Sequence, residues 1–332
     1  MDESTSNNQD EIRRPQRLNF PHRSAYLPST ASSYLKDFVV RALSFFRFGR
    51  ILTLTSFLRF NHYGPIEMNM SLSPRLSSAK KIAVFAHFSS QVHISKSDQF
   101  YISQLREAGF SVIVSSTCTS NANDHQLLWS QWEEDIDGLI TRPNFGFDFA
   151  SWSVALKSTV LNDPNLHPSQ IILVNNSMYG PLFPLAPILD ELAGRGDIFG
   201  FTASREFSPH LQSYFLGFNQ KTIESPEFRT FWTRRFGGVS KWSTIFRLEL
   251  TWERFFVRRG FVSAVFVEDT RNFYRNPLTF LWKDLVSAGF PLVKKSLFTY
   301  NYDSIDVSDW KSFLSNKCPE FDQGLISNDI LG

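Results

Sequence analysis

Hydrophobic residues along this chain fall into two patterns, short continuous apolar runs and longer runs with helical spacing. The continuous runs are typical of strands buried on both faces of a sheet, and there are four of them: 81–88, 110–115, 137–141 and 169–174. Three helical patterns separate these runs: about 98–108, 124–136 and about 149–160. The resulting β-α-β-α-β-α-β order predicts an α/β fold with a mainly parallel sheet and right-handed crossover connections.

The order of the elements changes after residue 182. Two strand-like runs, 197–202 and 211–218, follow closely on one another, and we expect them to pair antiparallel. A late strand is predicted at 261–267, and further helices are predicted to begin at Pro187, Ser225, Thr244 and Asn276. The sheet is therefore predicted to be mixed, with helices flanking it.

The first 79 residues differ from the rest of the chain. Residues 1–30 are rich in Ser, Asn, Pro and Arg, lack periodicity and are predicted to be a disordered tail. Residues 31–79 combine a basic amphipathic helical segment with a linker, and the charges at 31–60 sum to 5 − 1 = +4. The segment 33–60 either makes a peripheral contact with an anionic membrane or packs on the main domain with its arginines in water.

Composition narrows the class of protein. The chain has 332 residues and a net charge of +2, which gives no sign of nucleic-acid binding. Two cysteines make neither a disulfide framework nor a zinc site and fit a cytoplasmic protein. The polar start lacks the features of a signal peptide, and no apolar run is long enough for a spanning helix. The 34 phenylalanines imply either large aromatic cores or an apolar contact surface.

The turn from Arg142 to Asp148 joins a predicted strand to a predicted helix. The free amides of a helix N-terminus and the fork of Arg142 suit a diphosphate, and Gly146 lets the backbone approach a ligand closely. The alternative is structural, with Asp148 capping the helix and Arg142 pairing with it.

Three more polar clusters lie at predicted element ends, at 87–90, 175–177 and 206–213. In a parallel sheet the first two of these share one edge with the 142–148 turn, which is the usual position of a nucleotide-type ligand. The chain contains no Walker, dinucleotide-binding, nucleophile-elbow or zinc-protease motif. A lone His87 or His210 is more often structural than catalytic.

From about Lys80 to Leu297 the chain resembles the rhamnan synthesis protein F family of polysaccharide-assembly glycosyltransferases. The resemblance is carried by Arg142 to Trp152, Ile171 to Leu182 and Phe201 to Phe215, with weaker matches at 225–232, 249–251 and 282–294. It implies a GT-A-like, Rossmann-type domain at 80–300, divided into a nucleotide-sugar half at 80–182 and an acceptor half at 183–300, with a C-terminal tail at 301–332. It also implies transfer of rhamnose or a related deoxysugar from a nucleotide diphosphate donor such as dTDP-rhamnose.

The family often has Asn-Asp-Ser after the central strand, where this chain has Asn175-Asn176-Ser177. An amide adds no charge to a metal site, so affinity for Mg²⁺ or Mn²⁺ is expected to fall. Asp148 is the nearest alternative carboxylate. Asp148 and Asn176 are therefore the candidate metal ligands.

The resemblance assigns roles to residues on the predicted edge. The candidates for binding the nucleotide sugar are His87, Arg142, Asn144, Gly146, Asp148, Asn175, Asn176, Ser177 and Gln212. Glu249, His210 and Glu206 are the candidate bases for the acceptor hydroxyl, and an inverting reaction needs one base. The alternative for Glu249 is an ordinary helix-surface ion pair with Arg247 or Arg254.

These expectations describe a cytoplasmic glycosyltransferase at the inner face of the membrane. It would extend a lipid-linked cell-surface polysaccharide or lipopolysaccharide O-chain. The alternative is a non-catalytic partner in a polysaccharide-assembly complex, which suits Asn176 and the many phenylalanines.

Overall fold

The computed structural model of the chain describes residues 68–205, 208–234, 236, 244–268 and 276–331. The predicted tail at 1–30, the helical segment at 31–60 and the candidate base Glu206 lie outside these residues.

Eleven strands and eleven α-helices occur in the described part of the chain. The strands are β1 (Asn69–Leu72), β2 (Lys81–His87), β3 (Ser111–Ser116), β4 (Gly138–Thr141), β5 (Gln170–Asn175), β6 (Met178–Tyr179), β7 (Ile198–Ser204), β8 (His210–Leu211), β9 (Phe215–Asn219), β10 (Ser263–Glu268) and β11 (Val293–Lys294). The helices are α1 (Lys96–Glu107), α2 (Ala122–Trp132), α3 (Phe147–Ser158), α4 (Leu185–Ala193), α5 (Gln220–Ile223), α6 (Pro226–Trp232), α7 (Trp252–Val257), α8 (Pro277–Phe280), α9 (Trp282–Ser287), α10 (Trp310–Lys317) and α11 (Gly324–Leu331).

A nine-stranded mixed sheet organises the fold, in the order β1-β4-β3-β2-β5-β9-β7-β10, with β8 beside β7. Strands β4, β3, β2 and β5 are parallel to one another. Strand β9 runs antiparallel between β5 and β7, and β10 is parallel to β7. The predicted α/β fold with a central, mostly parallel sheet is confirmed, as is the antiparallel pairing after residue 182. Because β9 reverses the chain between β5 and β7, the carboxyl ends of β2, β3, β4, β5 and β7 share one edge, which we call the polar edge.

The two faces of the sheet carry separate hydrophobic cores, because successive side chains of a strand point to opposite sides. In β2, Val84 joins the core beneath α3, α6 and α7, whereas Phe85 joins the core beneath α1, α2 and α4. Large aromatic side chains fill the first of these cores, among them Trp152 and Trp232, whose rings meet edge to face. In the part of the chain that the structure describes, most phenylalanines therefore build cores.

Two segments that the sequence analysis assigned to a linker and a tail are ordered parts of the fold. Residues 69–72, placed in the linker, form the edge strand β1 antiparallel to β4, followed by a 3₁₀ turn at Pro74–Ser78. Residues 301–331, called a tail, contain α10 and α11, which belong to a third hydrophobic cluster with α9. Both were missed because short amphipathic elements with many exposed positions give a weak hydrophobic pattern.

Two predicted elements are divided in the structure. The run 211–218 is broken between β8 and β9, because Ser213 and Tyr214 form a turn. The helix predicted at 244–259 consists of a π-helical turn, Ile245–Glu249, followed by α7. Within the described residues, no helix is both long enough and apolar enough to cross a bilayer.

Candidate active site

The polar edge brings together the three clusters predicted to meet there and adds part of the fourth. His87 ends β2, Arg142 follows β4, and Asn175 ends β5. His210 lies on β8, whose register pairs it with Ser204 at the end of β7. The axes of β5 and β7 are two strand spacings apart, about 10 Å. The donor-side and acceptor-side candidates therefore face one region of the molecule.

Arg142 is fully buried and holds the turn that follows it. Its Nη1 donates to the carbonyl oxygens of Pro143 (3.0 Å) and Phe145 (2.8 Å), and its Nη2 donates to Phe147 O (3.1 Å) and Ser151 Oγ (2.7 Å). Burial lowers the pKa of Arg142 to about 10. All four Nη hydrogens of Arg142 are donated within the protein, while its buried Nε has no partner. The diphosphate contact of Arg142 stays a prediction, which this internal bonding does not favour.

Gly146 is required by close packing of the backbone. Its φ is +68°, and a Cβ at this position would lie 2.4 Å from the carbonyl oxygen of Phe236 and 2.6 Å from the Cβ of Ala150. The following residue, Phe147, also has a left-handed φ of +55° and is 40% exposed. The tight turn thus turns the Phe147 ring outward beside the exposed Asn144.

A short chain of hydrogen bonds joins the turn after β4 to the end of β5. Asn175 Nδ2 donates to Asp148 Oδ2 at 2.8 Å. The amide oxygen of Asn175 accepts both from the backbone N–H of Ser177 (3.1 Å) and from its hydroxyl (2.6 Å). Asp148 is half-buried in the first turn of α3, where its charge is favourable to the helix dipole, while Ser177 is exposed.

The amide of Asn176 holds the loop after β2. Its Oδ1 accepts from the backbone N–H of Phe88 (3.2 Å), and its Nδ2 donates to Phe88 O (2.9 Å) and to Asp98 Oδ2 (3.2 Å). Phe88 is thereby fixed with 56% of its surface exposed. Phe88 and Phe147 are the exposed phenylalanines of the described chain, and both lie on the polar edge.

The two candidate metal ligands bond to different partners, Asp148 to Asn175 and Asn176 to Asp98. The amide oxygens of Asn175 and Asn176 are turned to Ser177 and Phe88 respectively, away from Asp148. In the described residues no three His, Cys, Asp or Glu side chains gather as metal ligands. Asn176 is therefore unsuited to the ligand role predicted for it, and a cation bound at Asp148 would need ligands from substrate phosphates and water.

A buried ionic network lies behind the polar edge, and the sequence analysis missed most of it. Asp98 accepts from Lys295 Nζ at 2.7 Å and lies 3.7 Å from His87 Nε2. Lys295 also donates to Ser97 Oγ (3.0 Å) and lies 3.6 Å from Asp329 on α11. His87 is buried, with Nδ1 bonded to Ser116. Its contact with the ligand stays a prediction, which this burial does not favour. Burial lowers the pKa of His87. The carboxylate of Asp98 at the start of α1 suggests that a basic partner lies nearby, but nothing in the sequence indicates that this partner is Lys295.

On the acceptor side, His210 and Glu249 form a pair. His210 Nδ1 lies 2.7 Å from Ser208 O, and its Nε2 lies 4.0 Å from Glu249 Oε1. That carboxylate oxygen also accepts from the backbone N–H of Ser213 at 3.2 Å. Glu249 therefore contacts His210 and Ser213, and among the described residues no ion pair joins it to Arg247 or Arg254, the alternative predicted for it. Single π-helical turns, such as the one that carries Glu249, are frequent at functional sites.

Gln212 is a structural residue. It is buried, its Oε1 accepts from Thr202 Oγ1 at 2.7 Å and its Nε2 donates to Asn276 Oδ1 at 3.2 Å. Its binding of a nucleotide sugar stays a prediction, which is not favoured because both ends of the amide have partners within the protein. Beside this network a cleft of about 550 Å³ opens between β8, β10 and α7, lined in part by His210, Arg254 and Val262.

Comparison with known proteins identifies the family. The chain is 27% identical to Virulence protein VirA of Vibrio anguillarum over 207 residues, covering 53% of this chain and 66% of VirA. It is 28% identical to the uncharacterized protein y4gN of Sinorhizobium fredii over 145 residues, covering 42% of this chain and 37% of y4gN. Each match spans less than two thirds of the curated relative. The family model for rhamnan synthesis protein F matches residues 112–326, which include Asp148, Asn175, His210 and Glu249. The chain belongs to the rhamnan synthesis protein F family.

Proposed function

We propose that this protein is a glycosyltransferase of polysaccharide biosynthesis that transfers a deoxysugar, rhamnose, from a nucleotide diphosphate donor such as dTDP-rhamnose. Membership of the family makes polysaccharide biosynthesis the general field of its function. The transferase proposal is carried by one observation, the meeting of exposed aromatic and polar groups on the edge where parallel strands end. Ligands of open α/β sheets bind at such edges. The proposed product is a cell-surface polysaccharide or lipopolysaccharide O-chain.

The donor side of the proposed site is built on the turns after β2, β4 and β5. Phe88 and Phe147 offer exposed rings for stacking against a base or a sugar. The exposed Asn144 and Ser177 offer polar groups to the diphosphate, together with the backbone amides at the start of α3. In this proposal Arg142 shapes the turn and leaves the diphosphate to these groups.

The acceptor side is centred on Glu249 and His210. Because Nδ1 of His210 donates to a carbonyl oxygen, the neutral ring carries no proton on Nε2. This nitrogen lies 4.0 Å from Glu249 Oε1 and can accept a proton. In the proposed inverting reaction, Glu249 takes the proton of the acceptor hydroxyl, and the hydroxyl oxygen attacks the anomeric carbon as the diphosphate leaves. Sharing this proton with His210 Nε2 would stabilise the charge pair that forms.

The proposed architecture is GT-A-like, with a nucleotide-sugar half at 80–182 and an acceptor half at 183–300. Parallel β2–β5 followed by the antiparallel β9 support this division. The proposed acceptor is a lipid-linked glycan reached from the cytoplasmic face of the membrane. We propose that any Mg²⁺ or Mn²⁺ enters with the donor, held by Asp148 and the phosphates.

The proposal is tested with a panel of nucleotide sugars and two substitutions. A donor at about 100 times its dissociation constant raises the free energy of unfolding by about 2.7 kcal/mol. Asp148→Asn should reduce this stabilisation. Glu249→Gln should keep it but lower transfer, followed as release of nucleoside diphosphate, by about 10²–10⁴-fold. The exposed residues Asp303 and Glu320 provide matched controls, Asp303→Asn and Glu320→Gln.

A second candidate is a non-catalytic partner in a polysaccharide-assembly complex. It is favoured by the internal use of the polar groups of Arg142, Asn176 and Gln212. Calorimetry with nucleoside diphosphates, with and without Mn²⁺, separates the two. Absence of binding in both conditions, or a Glu249→Gln variant that transfers at the rate of the unmodified protein, would overturn the catalytic proposal.

A further inference from the structure

Four exposed arginines surround the C-terminal end of α7, on a surface that we call the arginine patch: Arg234, Arg254, Arg258 and Arg259. Arg254 and Arg258 are one helical turn apart and therefore share a face of α7. None of the four arginines is assigned a role in the proposed transfer reaction.

Two of the patch arginines are held in fixed positions by one aromatic ring. The guanidinium carbon of Arg259 lies 3.8 Å from the ring centroid of Phe255, and that of Arg234 lies 4.5 Å from the same centroid. Arg259 Nη1 also donates to Phe255 O at 2.9 Å. Burial and the charge of Arg259 both lower the pKa of Arg234. The protein thus holds two like charges together at its surface, and a bound anion would relieve their repulsion.

The described residues place no carboxylate beside the arginine patch. Within the described part of the chain, none of the four arginines has an acidic group within ion-pair distance. The nearest acidic residue in sequence, Glu253, is turned inward and accepts from Leu211 N (3.0 Å) and Ser263 Oγ (2.7 Å). The charges of these five side chains sum to 4 − 1 = +3.

Exposed valines flank the turn that carries the patch. Val257 is 45% exposed and Val262 is 55% exposed, one on each side of Arg258-Arg259-Gly260. A turn that presents apolar side chains beside arginines matches a bilayer interface, where the apolar groups enter the headgroup region and the guanidinium groups meet phosphates. Arg254, Val257 and Val262 also line the cleft that contains His210, so the patch adjoins that cleft through Arg254.

We infer that the arginine patch is a contact surface for an anionic phospholipid bilayer, with the turn around Arg258 and Val262 resting in the headgroup layer. This contact is separate from the one predicted for residues 33–60. The bilayer is favoured over a soluble anion because the exposed valines have no role in binding a soluble anion. The membrane contact stands independently of the transfer reaction. Delivery of a lipid-linked acceptor to the cleft rests on the proposed function.

Co-sedimentation of the full chain with vesicles tests the contact. The vesicles contain phosphatidylcholine alone, or phosphatidylcholine with about 30% phosphatidylglycerol. At a surface with an anionic content on this order, each arginine strengthens binding about fivefold. Arg258→Gln/Arg259→Gln should weaken binding to the anionic vesicles by roughly 25-fold, and salt should weaken the binding further. Lys311→Gln/Lys317→Gln removes the same charge from exposed positions on α10 and should have little effect.

A fluorescent probe locates the contact independently of residues 33–60. An environment-sensitive dye on Val262→Cys should shift to the blue on addition of anionic vesicles, whereas the same dye on Leu127→Cys, 55% exposed on α2, should not. The unsubstituted chain, treated with the same dye, reports labelling of Cys118 and Cys318.

The inference is overturned if the double arginine variant binds anionic vesicles as the unmodified chain does, or if the dye at position 262 does not shift. A blue shift of the dye with soluble polyphosphate but not with vesicles would assign the patch to a soluble anion. That result would also overturn the inference. Stabilisation of the double variant by nucleotide sugar is measured in parallel. Failure of the membrane contact is therefore distinguishable from failure of the proposed function.

Discussion

Arg142 combines a full positive charge with complete burial, and its hydrogen bonds explain how the fold accommodates it. Three carbonyl oxygens and one hydroxyl surround its Nη atoms, and all of them belong to the turn and the first helical turns that follow. A planar guanidinium can satisfy several acceptors in one plane, which an ammonium group cannot do. The turn that carries Asn144, Phe147 and Asp148 is thus shaped by a single side chain.

Replacing Arg142 with lysine tests this role at the residue scale. Lysine keeps the charge but loses the fork, so we expect Arg142→Lys to lower the free energy of unfolding by about 3 kcal/mol or more. Urea unfolding measures the change. Arg195→Lys is the matched control, because Arg195 is partly exposed and pairs one helical turn away with Glu191. We expect the control to cost less than about 0.5 kcal/mol. An Arg142→Lys protein of unchanged stability that no longer binds nucleotides would instead show a direct ligand contact.

At the scale of elements, the sequence predicted the strands that are buried on both faces of the sheet and missed the exposed ones. Strand β2 reads as a continuous apolar run because Ile82 to Ala86 are all buried. The edge strand β1 was missed because Met70 and Leu72 are exposed and alternate with polar residues. Likewise Asp148 and Asn175 could be singled out because Asn175 ends a recognisable strand and Asp148 lies at the start of the helix after the turn that follows another. The Asp98–Lys295 pair was missed because its members are 197 residues apart and meet only through folding.

His87 joins β2, β3 and α1, and its titration provides a prediction for these packed elements. Burial lowers its pKa below the ordinary value of 6.5, while Asp98 opposes this and Lys295 adds to it. As the pH falls below 6.5, the unfolded chain therefore binds a proton before the folded chain does. The contribution of His87 to the free energy of unfolding should fall with decreasing pH, by at most about 1.4 kcal/mol per pH unit.

Urea unfolding between pH 7.5 and about 5 measures this slope in the unmodified protein and in His87→Asn, which retains a polar group for Ser116. The difference in free energy between the two proteins should shrink as the pH falls. The control is His167→Asn, at an exposed position that is not among the groups acting on His87, and it should leave the slope unchanged. If the free energies of unfolding of the unmodified protein and of His87→Asn changed with pH in parallel, His87 would not be a buried neutral imidazole.

At the scale of the whole molecule, the C-terminal helices belong to the same folded unit as the site. Leu314 on α10 and Ile326 on α11 are fully buried in a cluster with Trp282. Asp329 on α11 accepts from Ser97 at 2.5 Å, and through Lys295 and Asp98 the contact continues to the Asn176 amide. The loop that displays Phe88 is therefore supported by residues at the far end of the chain.

Leu314→Ala tests whether these helices are part of the unit. Removing a fully buried leucine side chain should lower the free energy of unfolding by about 2–5 kcal/mol, since the neighbouring rings cannot fill the cavity completely. Urea unfolding followed by tryptophan fluorescence should retain a single transition, because Trp282 and Trp310 report on this cluster while Trp152 and Trp232 report on the sheet core. Leu127→Ala, at an exposed position on α2, should change stability by less than about 0.5 kcal/mol. If α10 and α11 formed an independent tail, Leu314→Ala would leave the urea midpoint of the main transition unchanged. Only a separate fluorescence transition at lower urea concentration would then move.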